Sequence, residues 1–188
     1  MMQTAAAQQG GQGVSHYDLN FSYTAERARI AKVPHSSFWL SGASAEVGVS
    51  LYRSLAVAVE VSGGYATNVE AGVNLGKFAL TAGPRYTIDT SHWTRGRSSD
   101  LFGQALFGVE HGFDSVFPSA LGADNNATSA AIEFGGGLDL TLQNGLSLRL
   151  PELAYIHTSL PNNGSNSQSD LRLSAGVSLH FNRTKRSK

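Results

Sequence analysis

The feature that most constrains the fold is the alternation along "DLRLSAGVSLHF", Asp170 to Phe181. Leu171, Leu173, Ala175, Val177, Leu179 and Phe181 take one parity, and Arg172, Ser174, Gly176, Ser178 and His180 take the other. An extended chain turns successive side chains to opposite faces, so period two predicts a strand with one apolar and one polar face.

The same period recurs along the chain. His16–Tyr23 sets Tyr17, Leu19, Phe21 and Tyr23 against Asp18, Asn20 and Ser22; a second block runs from about Phe38 to Leu51 and a third from Leu55 to Gly64. Lys77–Ile88 is the fourth, with Pro84 marking a bulge or a break in pairing. The fifth, Asp100–Glu110, has Phe102 and Leu106 out of pattern; the sixth is Thr128–Leu142 and the seventh Leu146–His157, with Ile156 on its apolar parity and Tyr155 on its polar one. The opening stretch makes eight. Short connections, "YRS", "DTSHWTRGRS" and "QNG", alternate with longer polar ones such as Gly112–Ala127 and Thr158–Ser169. The expectation is an up-and-down meander with short turns at one end, long loops at the other, and strands of about 9 to 11 residues across the apolar layer.

Several function classes drop out on composition. Lys plus Arg equals Asp plus Glu at 14 each, so net charge offers no argument for a nucleic-acid partner. With no cysteine, disulfides, thiolate chemistry and cysteine-ligated metals are excluded. No apolar run approaches the roughly 18 residues of a transmembrane helix.

Eight antiparallel strands close into a barrel, and either of two barrels satisfies the alternation. A lipocalin-like barrel turns its apolar set inward and its polar set to water, whereas a membrane barrel does the reverse. The polar set decides between them. Charged residues are only 15% of the chain, and of four lysines only Lys77 falls in a predicted strand. A set of Ser, Gly, Asn and Gln with scattered carboxylates and arginines suits a crowded lumen. Tyr17, Tyr52, Tyr86 and Phe181 gather near the short-turn end and Tyr23, Trp39 and Tyr65 near the other, as interfacial girdles do. The predicted fold is all-β: an eight-stranded antiparallel up-and-down transmembrane barrel over residues 16–181, between an N-terminal segment 1–15 and a basic tail 182–188. The "TAAAQ" in the first segment has the small residues of a signal-peptide cleavage site.

In "LTAGPRYTI", "FGQALFGVEHG", "FGGGLDLTL", "LSLRLPELAYIHT" and "LRLSAGVSLHF" the chain resembles the small OmpA/OmpX-type outer-membrane β-barrel proteins. That resemblance implies the bacterial outer membrane, contact with its lipid and lipopolysaccharide, and assembly by the barrel-assembly machinery, which would read Phe181 as its C-terminal signal. The chain departs from the pattern in continuing with "NRTKRSK".

A lumen charge without a partner is costly, so the inward set predicts ion pairs. The "QNG" hairpin sets Asp139 opposite Arg149, and the "YRS" turn sets Glu46 opposite Glu60. Arg85, on the neighbouring strand, is the expected partner of Glu60 or Glu46. With Arg172 these residues form a candidate structural network, and Asp18, Glu110 and Glu133 share its inward face. No catalytic residue, cofactor or metal is expected. The leading function is a structural envelope role with exposed polar loops, and three other readings stand beside it. One is a narrow cation- or proton-conducting channel. Another is a lipid A-modifying hydrolase, because His157 and Ser159 loosely resemble the H-x-S of lipid A deacylases. The last is a soluble lipocalin-like binder.

Overall fold

The computed structural model describes residues 15–29, 37–70, 73–90, 98–119, 122–143, 145–161 and 166–183. They form eight strands: β1 (Ser15–Arg29), β2 (Ser37–Tyr52), β3 (Leu55–Glu70), β4 (Val73–Asp89), β5 (Ser99–Ser119), β6 (Gly122–Gln143), β7 (Leu146–Thr158) and β8 (Gln168–Arg183). Each pairs antiparallel with its neighbours in chain order, and β1 pairs with β8 from Ser15↔Arg183 to Arg27↔Leu171 to close the barrel. The segment before Ser15, the basic residues after Arg183 and Asn144 of the "QNG" turn lie outside the described residues.

The apolar parity faces out. Phe21, Tyr23, Trp39, Leu80, Phe107, Leu171 and Phe181 are exposed, while Asn20, Glu46, Glu60, Arg149 and Arg172 are buried. This is the inverse of a lipocalin-like barrel, whose apolar set lines the interior, so that reading is excluded. Tyr17, Tyr52, Tyr86 and Phe181 stand exposed at the end that carries the short turns, and Tyr23, Trp39 and Tyr65 toward the opposite, loop end.

The strands are 13 to 22 residues long, longer than the predicted blocks of 8 to 15 residues. The difference lies mostly at the loop end. β3 continues through Glu70 and β4 begins at Val73; β5 and β6 run on to Ser119 and from Gly122. Most of the polar stretch Gly112–Ala127, expected as a long loop, is therefore the far part of a hairpin. It pairs Phe113↔Asn126 and then, past a register shift, Phe117↔Asp124. Polar composition there does not mark a loop, because a hairpin standing clear of an apolar layer has no reason to be apolar on either face. β8 likewise continues through Asn182 and Arg183, so the barrel does not stop at Phe181.

Two prolines act differently. Across Pro84 the β4–β5 register resumes unshifted, from Ala82↔Phe107 to Arg85↔Gln104, which is a break in pairing without a bulge. At Pro151 the β7–β8 register shifts, between Arg149 and Glu152. The extra residue reverses parity beyond it, so Glu152, Ala154 and Ile156 face inward and Tyr155 outward. Both assignments at Tyr155 and Ile156 are thereby corrected. Phe102 and Leu106 of β5 also point inward, which accounts for their breaking the apolar parity.

Candidate functional site: the lumen ion-pair column

The inward side chains build a column of charge. Its cations, among the described residues, are Lys77, Arg85, Arg149 and Arg172; its carboxylates are Asp18, Glu26, Glu46, Glu60, Glu110, Glu133, Asp139, Glu152 and Asp170. Nine carboxylates thus face four cations.

At the turn end, β6 and β7 meet through a tight turn whose Gly145 takes φ 82°, a left-handed conformation that glycine adopts without strain. That turn brings Asp139 and Arg149 opposite each other. Arg149 donates through Nε and Nη2 to the two oxygens of Asp139 at 2.8 and 2.9 Å, a bidentate fork. Its Nη1 crosses the lumen to Glu46 Oε1 at 2.8 Å, and its guanidinium carbon lies 4.1 Å from the centre of the Phe102 ring. Arg85 joins the same cluster, donating to Glu46 Oε1 at 2.6 Å and to Asp18 Oδ2 at 2.5 Å. Gly48 makes room for this pair: a Cβ there would collide with Arg85 Nη2 and the Asp18 carboxylate.

Glu46 and Glu60 stand opposite each other on β2 and β3. They are neutralised by different arginines, Glu46 by Arg85 and Arg149, Glu60 by Arg172 at 2.6 Å. Arg172 Nη2 also meets Glu133 Oε1 at 2.5 Å, and its Nη1 donates to Ser62 at 3.1 Å. Arg85 therefore pairs with Glu46 and Asp18, not with Glu60.

At the loop end one lysine holds three strands. Lys77 Nζ lies 2.8 Å from Glu26, 2.5 Å from Asp170 and 3.4 Å from Glu110. Lys77, Glu26, Asp170 and Glu152 are absent from the predicted network. Parity marks the first three, since Lys77 shares it with Arg85, Glu26 with Asp18 and Asp170 with Arg172. Glu152 is hidden by the register shift at Pro151.

Two spaces flank the column. A vestibule of about 210 Å³ opens at the turn end between Asp18, Arg53, Arg85, Asp100, Asp139 and His180. Nearer the loop end a void of about 20 Å³ lies among Lys77, Glu110, Glu133 and Arg172. His180 accepts or donates at 3.1 Å to Ser147 on the rim.

The remaining motifs sit on the outside. His157 Nδ1 is 3.3 Å from Ser169 Oγ, which Tyr155 also contacts at 2.7 Å. Among the described residues no hydrogen bond joins His157 to Ser159, whose N–H donates to Ala130 O at 3.4 Å. Phe181 is exposed and stands opposite Tyr17 on the closing seam.

A scan against protein-family models finds no match, and a search of curated proteins finds none. Solved structures do match. Neisserial surface protein A (NspA) has a TM-score of 0.64 at 14% identity, covering 89% of this chain and 97% of that one. Ail, the attachment invasion locus protein of Yersinia pestis, has a TM-score of 0.58 at 14% identity, covering 89% and 99%. Closed eight-strand topology, an apolar exterior and a charged interior thus agree with these likenesses: the chain has the OmpA/OmpX-type fold of the small outer-membrane β-barrels.

Proposed function

We propose that the protein is an integral barrel of the bacterial outer membrane with a structural envelope role, its polar loop end displayed to the exterior, and that it catalyses no reaction. The observation that supports this most directly is an interior filled by interlocked ion pairs from all eight strands. Such a column cross-links the wall, and an eight-stranded interior is just wide enough for its side chains to fill. Outer-membrane lipid and lipopolysaccharide cover the belt, and the barrel-assembly machinery reads the Phe181 region of β8. Cell fractionation with gel migration before and after heating tests this reading. Recovery in the outer-membrane fraction and a heat-dependent mobility shift are expected; a soluble, heat-indifferent protein would refute it.

The excess of carboxylates and the acidic vestibule favour one second reading, a narrow cation or proton path. Planar-bilayer recording separates the two: a closed baseline accords with the structural role, and steady cation-selective steps accord with conduction.

A further inference from the structure

One outer face at the loop end carries positive charge with no negative partner. Arg27 shares an outward-facing row with Trp39 on β2 and Leu171 on β8, and the row continues to Tyr155 on β7. Two residues nearer the loops, Arg29 is exposed on the same face, opposite Ser37. Two residues nearer the membrane middle, the row is Ala25, Leu173 and Leu153, where the apolar belt begins. Trp39 and Tyr155 are exposed, as interfacial rings are. The two guanidiniums therefore stand at the level where aliphatic wall gives way to polar headgroups.

No carboxylate is placed to pair with them. The nearest on the two seam strands, Glu26 and Asp170, turn inward to Lys77. Neither connection bordering this face, residues 30–36 between β1 and β2 or 159–167 between β7 and β8, contains an Asp or Glu. The lumen holds carboxylates in excess, so their absence on this face is not a shortage in the chain. Arg27 donates from Nε to Ser37 Oγ at 3.2 Å, which holds the side chain along the wall. Among the described residues its Nη groups have no partner and Arg29 forms no ion pair.

We propose that Arg27 and Arg29 clamp a phosphate of lipopolysaccharide, whose acyl chains lie on the Leu173 and Leu153 wall below. This rests on the reading above that the loop end faces the exterior, because lipopolysaccharide occupies that leaflet. A guanidinium fork matches phosphate oxygens two at a time, and residues two apart on a strand stand about 7 Å from each other on one face, so both long side chains reach a single phosphate. A soluble polyanion would need charge alone. The row that holds Arg27 also holds Trp39 and Leu171, so the ligand it fits is anionic and amphiphilic.

The test uses the full chain with Trp93→Phe, so that Trp39 is the only tryptophan, refolded into detergent micelles free of lipopolysaccharide. Purified lipopolysaccharide is the probe, and heat-dependent gel mobility confirms that each variant is folded. Titration should shift Trp39 emission saturably, with an apparent affinity at least ~10-fold weaker when Arg27→Gln and Arg29→Gln are combined, as expected for lost charge-assisted hydrogen bonds. Phosphatase-treated lipopolysaccharide should bind the parent as weakly as the intact molecule binds that double variant. Added salt should weaken the parent and leave the double variant nearly unchanged. Equal affinity in parent and double variant, or no preference for the phosphorylated molecule, overturns the site. Equally tight binding of phosphatidylglycerol also overturns it, since the arginines would then be a general anionic-lipid contact. Arg53→Gln, at the turn end, should bind as the parent does; its loss of affinity would put the contact on the other rim and overturn this one. Fractionation keeps the two readings apart. A barrel that reaches the outer membrane while parent and double variant bind alike loses the site alone, and a soluble, heat-indifferent protein loses both.

Discussion

The two ends of the lumen column solve the same electrostatic problem with different cations. At the turn end, Arg85 and Arg149 hold Asp18, Glu46 and Asp139 through forked, directional hydrogen bonds, and Arg149 also stacks on Phe102. At the loop end, Lys77 alone serves Glu26, Glu110 and Asp170. A guanidinium presents five N–H donors in a fixed plane and so fixes the relative placement of strands; an ammonium is a compact point charge that tolerates several geometries. The turn end is thus built for precision and the loop end for charge compensation.

That contrast can be broken most forcefully at Arg149, which is 1% exposed. Arg149→Met leaves Asp139 without its partner and Glu46 with Arg85 alone, and should cost about 3–5 kcal/mol, the range for removing one member of a buried pair. The urea midpoint of the detergent-folded barrel measures it. Lys77→Met should cost somewhat less, about 2–4 kcal/mol, because Glu26 retains partial exposure at 13%. The loss should also shrink as pH falls, because protonated carboxylates need no cation. A pH-independent loss would mean that the lysine stem, not its charge, matters.

Gly48→Ala sharpens the claim of precision. Its Cβ meets Arg85 and Asp18, so about 1–3 kcal/mol should be lost through forced displacement of that pair, by the usual cost of overpacking. Gly63→Ala, whose Cβ comes no closer than 3.4 Å to its neighbours, is the control and should be nearly silent. Phe102→Leu should cost about 0.5–2 kcal/mol, the worth of a cation–π contact. In the Lys77→Met background that increment should be unchanged, and a double-mutant cycle in urea checks the independence of the two ends.

How much of this was legible depends on what sets each contact. Tight hairpins fix register, so the juxtapositions of Asp139 with Arg149 and of Glu46 with Glu60 follow from the turns between them. Parity assigns the faces of Leu171 through Phe181 without further information. Contacts across the lumen are another matter: Arg149 reaches Glu46 over a separation of 103 residues, and Arg172 reaches Ser62 over 110. No turn encodes these, because they depend on the curvature of the closed wall. Pro151 shows a third limit, since one inserted residue reversed the faces of Glu152, Tyr155 and Ile156 while leaving the strand intact. The far halves of β5 and β6 show a fourth, because strand structure there is carried by hairpin pairing and not by an apolar face.

The seam between β1 and β8 carries a consequence for membrane residence. These strands lie at opposite ends of the described chain yet pair over residues 15–27 and 171–183. A chain lacking β8 would leave β1 and β7 with rows of unbonded N–H and C=O groups, which hydrocarbon does not tolerate. Seven strands are therefore not a smaller barrel but a species the membrane rejects. Lasting residence in the lipid layer therefore requires β8 together with the rest of the wall.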